Sequence, residues 1–289
     1  KVDVEDSDMS FSFSSASPNI EYGGSSFNSL FAQRKNFFSI KFILLLLEIK
    51  KFYNVGRKLS INNLDLNISI EEFLKKNNFT DQICNLHIYP LISSIWSSNI
   101  HDVKKFPLVL FLNFFNNHGL FSLGKRPKWK FVSGGSNSYI KALIKKNLFI
   151  TNKNFKIKNI IRKNNKVYII DTNNIEHVFD KIVFAIHANQ ILDLLETPSF
   201  QEVEIFSNFE YTKNKAYLHT DVSFMPKSRR AWSSWNFSND IKKNQFSLTY
   251  WMNKLQNIKK STNYFVSINP YKEPINVIDK TIFEHPIYN

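Results

Sequence analysis

Trp129-Lys130-Phe131-Val132-Ser133-Gly134-Gly135-Ser136, a helical pattern from Tyr139 to Lys146, and a run of short segments ending on Ile182-Val183-Phe184-Ala185-Ile186-His187-Ala188 decide the fold. The Gly-Gly pair reads as the turn that opens the helix, since glycine tolerates a left-handed backbone without steric cost. Phe155 to Arg162, Val167 to Asp171 and Ile175 to Phe179 are parted by Lys163-Asn164-Asn165 and Thr172-Asn173-Asn174. Asn-rich breaks of that length make hairpin turns, so the three segments are expected to form an antiparallel meander. Ile182 to Ile186 is continuously apolar and predicts a strand buried on both faces, as in a parallel sheet covered by helices.

Toward the N-terminus, Met9, Phe11 and Phe13 alternate with Ser10, Ser12 and Ser14, and Ser17-Pro18-Asn19 turns this strand into a second one, Ile20 to Tyr22. Helices follow. Ser69 with Glu72 forms a capping box for a helix to Lys76, Thr80 opens the next, and Pro90 is expected to end or kink it. Pro107 suits the first turn of a helix to Asn117, which Gly119 terminates. Beyond the meander, Tyr211 to Thr220, Ala231 to Phe237, Gln245 to Met252 and Tyr264 to Asn269 have the spacing of an antiparallel sheet.

At 289 residues, 43% of them hydrophobic and 15% aromatic, the chain is globular and long enough for about two domains. Cys84 stands alone, which excludes an internal disulfide framework and a Cys-rich metal site and fits a reducing, cytoplasmic setting. The N-terminus, Lys1-Val2-Asp3-Val4-Glu5-Asp6, has no secretory pattern and no initiator Met, so the chain is expected to start in mid-protein. The net charge of +14 is scattered among Asn, Ile and Phe, which reads as compositional drift, with attraction to anionic lipid as the alternative and nucleic acid disfavoured. Phe37 to Ile49 falls short of the ~20 residues of a spanning helix. Ringed by Arg34, Lys35, Lys50 and Lys51, it reads as a buried helix before an interfacial one.

The glycines, Gly23, Gly24, Gly56, Gly119, Gly124, Gly134 and Gly135, allow no Gly-x-Gly-x-x-Gly loop and no P-loop, and there is no His-Glu-x-x-His or Gly-x-Ser-x-Gly motif. Hydrolase and metalloenzyme readings lack support, and no metal site is expected. As a set, other motifs carry more: Ser7-Asp8-Met9-Ser10-Phe11-Ser12, Glu21-Tyr22-Gly23-Gly24-Ser25-Ser26, Leu30-Phe31-Ala32-Gln33-Arg34, Tyr89-Pro90-Leu91 with Ile95-Trp96-Ser97, and Asn117-His118-Gly119-Leu120. Arg126-Pro127-Lys128-Trp129 with Gly134-Gly135-Ser136, Leu218-His219-Thr220-Asp221, Arg230-Ala231-Trp232-Ser233-Ser234-Trp235-Asn236, Thr249-Tyr250-Trp251-Met252-Asn253 and Glu284-His285-Pro286 continue it. In these the chain resembles the amine-oxidase-like flavoprotein superfamily of monoamine oxidases, phytoene desaturases and protoporphyrinogen oxidase. It is most similar to the bacterial FAD/NAD-binding proteins associated with cyclopropane-fatty-acid synthases.

The resemblance implies an α/β fold in which an α+β substrate domain interleaves with part of a Rossmann-like FAD domain. Residues 1–147 would be mostly helical substrate domain with the hairpin, 148–200 a FAD-domain segment, 201–275 the antiparallel sheet of the substrate domain, and 276–289 a return toward the FAD domain. Members open on a Gly-rich turn that holds the FAD pyrophosphate and close on a flavin motif. This sequence has neither, so it is expected to be an internal fragment, inactive alone.

By the same resemblance, Ile157 matches the strand whose backbone lies against adenine, Ala185, Ile186 and His187 the strand end that approaches the cofactor, and Gly134 and Gly135 the turn packed near the flavin. Trp232, Trp235, Asn236, Tyr250 and Trp251 alternate on predicted strands and, with Trp96, His118 and His219, are candidates for a substrate cavity. The implied activity is that of an FAD-dependent oxidoreductase in which the flavin takes a hydride equivalent from a C–H bond of an apolar substrate. Aromatic cavity candidates and the absence of an acidic cluster favour a lipid acyl chain over an amine. The resemblance further implies association with a cyclopropane-fatty-acid-synthase-like methyltransferase, and the charge a cytoplasmic protein peripheral to the inner face of the membrane. The competing class is a non-catalytic basic membrane-surface or protein-interaction module.

Overall fold

A computed structural model describes residues 2–59, 68–98, 100–122, 127–240 and 245–287. Gly124 and Arg126 lie outside the described residues. The chain divides into two compact units, a larger one of Asp3–Ser133 with Lys213–Asn289 and a smaller one containing Gly134–Thr212. The sequence-predicted boundaries are 147/148, 200/201 and 275/276.

In the larger unit β1 (Val4–Ser7), β2 (Phe11–Ser15) and β3 (Ile20–Gly23) precede the helices, and β4 (Trp129–Val132) follows them. β2 and β3 form the expected hairpin, antiparallel with Phe13 opposite Tyr22. β1, which alternation did not reveal, pairs antiparallel with β4, setting Asp6 opposite Lys130. The helix Ile70–Lys76 carries both hydrogen bonds of the Ser69/Glu72 capping box. The helix Leu108–Asn117 starts after Pro107, and Gly119 follows it at φ +60°.

The long helix Ile40–Lys58 corrects one expectation, because it is buried on one face only: Phe42, Leu45, Phe52, Tyr53 and Gly56 turn inward while Ile40, Leu44 and Leu47 stay exposed. The run Asp81–Ile83, Cys84–Ile88, Tyr89–Trp96 passes through Pro90 without ending. Its accommodation is a π-helical turn at Cys84–Ile88, a device that re-spaces the carbonyls ahead of a proline.

In the smaller unit β5 (Ile157–Lys163), β6 (Lys166–Asp171) and β7 (Glu176–Phe179) form the antiparallel meander in order. Asn164 and Asn165, both at positive φ, make the two-residue primed turn between the first two strands. Its core is small: Ile160, Val167, Ile169, Ile191 and Leu195. The predicted strand Ile182–Ile186 does not form, and Val183 is 91% exposed. A continuously apolar strand needs neighbours on both edges, and no described strand of this unit pairs with it.

β8 (Tyr211–His219), β9 (Trp235–Asp240), β10 (Gln245–Trp251), β11 (Phe265–Ile268) and β12 (Val277–Pro286) complete a seven-stranded sheet of order β12-β8-β11-β10-β9-β2-β3. β9 begins four residues later than the sequence predicts, after a 3-10 turn at Arg229–Ala231. β2 runs parallel to β9, with Phe13 opposite Phe237. Those two rings stack 6.1 Å apart and join the sheet to the helical core of Phe52, Phe111, Phe115 and Phe121.

A candidate substrate cavity

A cavity of about 340 Å³ opens among the elements of the larger unit. Leu46, Ile49 and Tyr53 of the long helix, Leu91 and Ile95 beyond Pro90, and Phe114 and Phe115 give it an apolar wall. Phe11, Tyr22, His87, Trp129 and Trp235 line it as well, and Lys50 is the one charged residue among the described lining. The volume lies within the range of small-molecule sites.

One polar cluster sits in that wall, and the sequence builds it stepwise. Pro90 has no N–H to return to the carbonyl of Leu86 four residues earlier, and that carbonyl accepts the Tyr22 hydroxyl at 2.7 Å. With its proton committed there, the Tyr22 oxygen accepts from His87 Nδ1–H at 2.9 Å. His87 Nε2 is then the acceptor facing the Tyr53 hydroxyl at 3.3 Å. The tautomer follows from the hydrogen-bond network. Burial holds the Tyr22 hydroxyl well above its ordinary pKa, reinforced by Tyr53, so Tyr22 stays protonated at neutral pH. Cys84, on the same π turn, is buried with its thiol pushed up to about 11 by burial and by Asp81 and Glu48, which keeps it inert.

Of the residues predicted from sequence, Trp235 lines the cavity. Its indole N–H is buried and meets no acceptor among the described residues, an arrangement that costs on the order of 1–3 kcal/mol unless a ligand atom answers it. Trp235 packs edge-on against Tyr250 at 5.5 Å, whose hydroxyl reaches the Ser94 carbonyl at 3.3 Å. His118 stacks on Trp129 at 4.7 Å, one ring removed from the cavity. Trp96 packs on Phe106 and Phe114.

The remaining candidates hold the sheet. His219 is fully buried, with Nε2 at 2.8 Å from Ser267 Oγ and Nδ1 accepting the Asp221 N–H at 3.1 Å. Burial lowers its pKa against the opposing pull of Asp221. Asn236 accepts from Ser12 Oγ and the Ser233 N–H and donates to the Ser233 and Thr249 carbonyls. Its polar groups are answered from within the sheet. Trp232 and Trp251 donate to Pro226 O and Asn263 Oδ1 and meet edge-on at 5.3 Å. The sequence reading missed Tyr22, Tyr53 and His87; its available signal was Pro90 inside an otherwise helical pattern.

The smaller unit holds the positions assigned to a cofactor. Gly134 and Gly135 adopt φ +73° and +82°, and a Cβ on Gly135 would meet nothing within 4 Å. They precede the helix Asn137–Lys145, whose N-cap Ser136 makes no side-chain bond to the first turn. Ile157 opens β5 beside a bulge. Ala185 and Ile186 are exposed, and His187 stacks on Tyr211 at 4.6 Å, whose hydroxyl accepts the Ala188 N–H.

No family model matches the chain, and no curated protein sequence matches it. Solved structures do. A fatty acid isomerase from P. acnes, described as producing CLA, superposes with a TM-score of 0.63 at 13% identity, over 99% of this chain and 69% of its own. Putrescine oxidase, in a form bound to putrescine, gives 0.57 at 10% identity over 93% of this chain, which spans only 59% of that enzyme. Cyclohexylamine oxidase from Brevibacterium oxydans IH-35A gives 0.59 at 9% identity, over 98% and 68%. The fold is that of the FAD-binding, amine-oxidase-like oxidoreductases.

The positions that the sequence assigns to a flavin dinucleotide are an open double-glycine turn before a helix, a strand start at Ile157 and the exposed segment Ala185–Ile186. The sequence has no glycine loop for the pyrophosphate.

Proposed function

We propose that the chain forms the substrate cavity and one cofactor wall of a flavin-dependent oxidoreductase acting on an apolar molecule with an acyl chain. The observation that supports this most is the cavity's chemistry: aliphatic and aromatic walls, Lys50 as the charged group, and no Asp or Glu among the described lining residues. An ammonium group seated there would be desolvated without a counter-ion, at a cost of several kcal/mol. A carboxylate or ester meets Lys50 and the unanswered indole N–H of Trp235.

Gly134, Gly135, Ile157, Ala185, Ile186 and His187 are the residues that would hold FAD. Bound there, FAD supplies an acceptor for the hydride equivalent lost from a C–H bond. The aliphatic side chains exclude water from the acyl chain, Lys50 fixes its polar end, and His87, neutral between two tyrosines, takes or returns a proton at Nε2.

The test pairs a fluorescent fatty acid with a fluorescent alkylamine of equal chain length, titrated into the chain, and FAD titrated separately with flavin quenching as readout. The acid is expected to bind at least about tenfold more tightly, and Ile157→Asp to weaken FAD binding by placing a carboxylate against the adenine wall. Equal or tighter binding of the amine overturns the acyl assignment; an unchanged FAD titration for the Ile157→Asp protein overturns the cofactor wall.

A further inference from the structure

The outward face of the helix Ile40–Lys58 changes character along its axis. Ile40, Leu44 and Leu47 are 77%, 53% and 57% exposed and recur at i, i+4 and i+7, which places them on one stripe. Phe38, just before the helix, is 92% exposed, and Phe27, 68% exposed, packs on Phe37 at 5.7 Å. Past Leu47 the same side carries Lys50, Lys51, Asn54 and Lys58, which border a shallow groove. The Lys51 ammonium donates to the Asn77 carbonyl at 3.0 Å and lies over the Phe79 ring, which fixes that charge at the surface. Glu48, the acidic residue of the stretch, is held aside by Thr80. No helix among the described residues is long and apolar enough to cross a membrane.

We propose that this face seats the protein on an anionic bilayer, with Phe38, Ile40, Leu44 and Leu47 in the acyl boundary and Lys51 and Lys58 at the lipid phosphates. Charge complementarity selects this occupant. A two-fold pairing of copies, with the helices antiparallel, would set the apolar half of one face on the lysines of the other. A bilayer presents hydrocarbon and phosphate side by side. The seat also adjoins the cavity, because Lys50 borders the groove and lines the cavity, where Leu46 and Ile49 of the same helix join it. Docking of this kind requires neither flavin nor turnover and stands apart from the proposed chemistry.

Co-sedimentation of the whole chain with phosphatidylglycerol/phosphatidylcholine vesicles, against pure phosphatidylcholine vesicles and across a salt series, tests it. Binding is expected to the anionic vesicles, weakening as salt rises. Leu44→Asp with Leu47→Asp is expected to lower it at least about tenfold, and Lys58→Glu to lower it about thirtyfold, since the one substitution shifts the surface charge by two units. All three substitutions lie on exposed positions, and an unchanged tryptophan emission spectrum checks that the fold is kept. Equal binding to pure phosphatidylcholine, or wild-type binding by the double variant, overturns the proposal. So does a dimer seen by light scattering that the double variant dissolves, without vesicle binding, which would give the face to a second copy.

Discussion

The larger unit closes around its own aromatic residues, whereas the smaller one leaves most of its apolar residues outside. Phe111 and Phe115 lie 4.1 Å apart, Phe115 and Phe121 5.0 Å, all fully or nearly fully buried. In the smaller unit the helix Asn137–Lys145 buries no residue, and Tyr139, Ile140, Leu143 and Ile144 are each 41–49% exposed. The difference teaches that hydrophobic periodicity marks a face to be covered without saying what covers it. Most of the burial resides in the larger unit, and the smaller one leaves the larger share of its apolar residues exposed.

The largest expected effect breaks or confirms that contrast directly. Phe115→Ala should destabilise the larger unit by about 3–5 kcal/mol through lost burial and the cavity left behind. Leu143→Ser, on the open helix, should change stability by no more than about 0.5 kcal/mol. All five tryptophans lie in the larger unit, so urea unfolding followed by tryptophan emission reads the first variant. Amide exchange on β5 and β6 reads the second. A large loss from Leu143→Ser would mean that its face is packed and that the contrast is misplaced.

Where local signals suffice, the fold was legible in the sequence. The hairpin of β2 and β3 and the meander of β5 to β7 followed from alternation and Asn-rich turns, because both act between neighbours in the chain. β1 was not legible: Val4-Glu5-Asp6-Ser7 does not alternate, and its partner β4 is more than a hundred residues away. Ile182–Ile186 failed for the opposite reason, an apolar run strong enough to predict a strand but with no described partner to pair with. At the site, Trp235 was legible as an aromatic residue on a strand. His87 was not, since a lone histidine on an apolar helix gives no sign that a π turn will aim it between Tyr22 and Tyr53.

An intermediate effect sharpens the comparison within the larger unit by asking whether its cavity wall is as firmly built as its core. Tyr22→Phe removes the donor to the Leu86 carbonyl and the acceptor for His87 Nδ1–H together. Two buried polar groups then lose a partner, for an expected loss of about 1–3 kcal/mol in the same urea experiment. The histidine also loses the bond that fixes its tautomer, so the His87 ring signals in nitrogen-resolved NMR should move from a single neutral form toward a mixture. Unchanged ring signals would show that the network does not set the tautomer.

The smallest effect belongs to the smaller unit and concerns charge in place of burial. Arg162 grips Glu202 with both guanidinium nitrogens, at 2.5 and 2.8 Å, and Ser199 donates its N–H at 2.7 Å to the same carboxylate. Held first by Arg162 and then by Ser199, the Glu202 carboxyl has its pKa lowered from 4.5 to about 2. A carboxyl whose folded pKa lies below its unfolded one stabilises the fold above the unfolded value and loses that contribution as pH falls through the folded one. The window is therefore from about 4.5 down to about 2. Because both side chains are partly open to solvent, the contribution is expected to stay below about 1 kcal/mol and to shrink with added salt. Glu202→Gln keeps a side chain that can complete the capping box with Ser199 and removes only the charge. Amide exchange on β5 and β6, compared at pH 5 and pH 3, should thus differ less in the Gln variant than in the wild type. Equal pH dependence in the two would assign the acid sensitivity of this unit to a carboxylate other than Glu202.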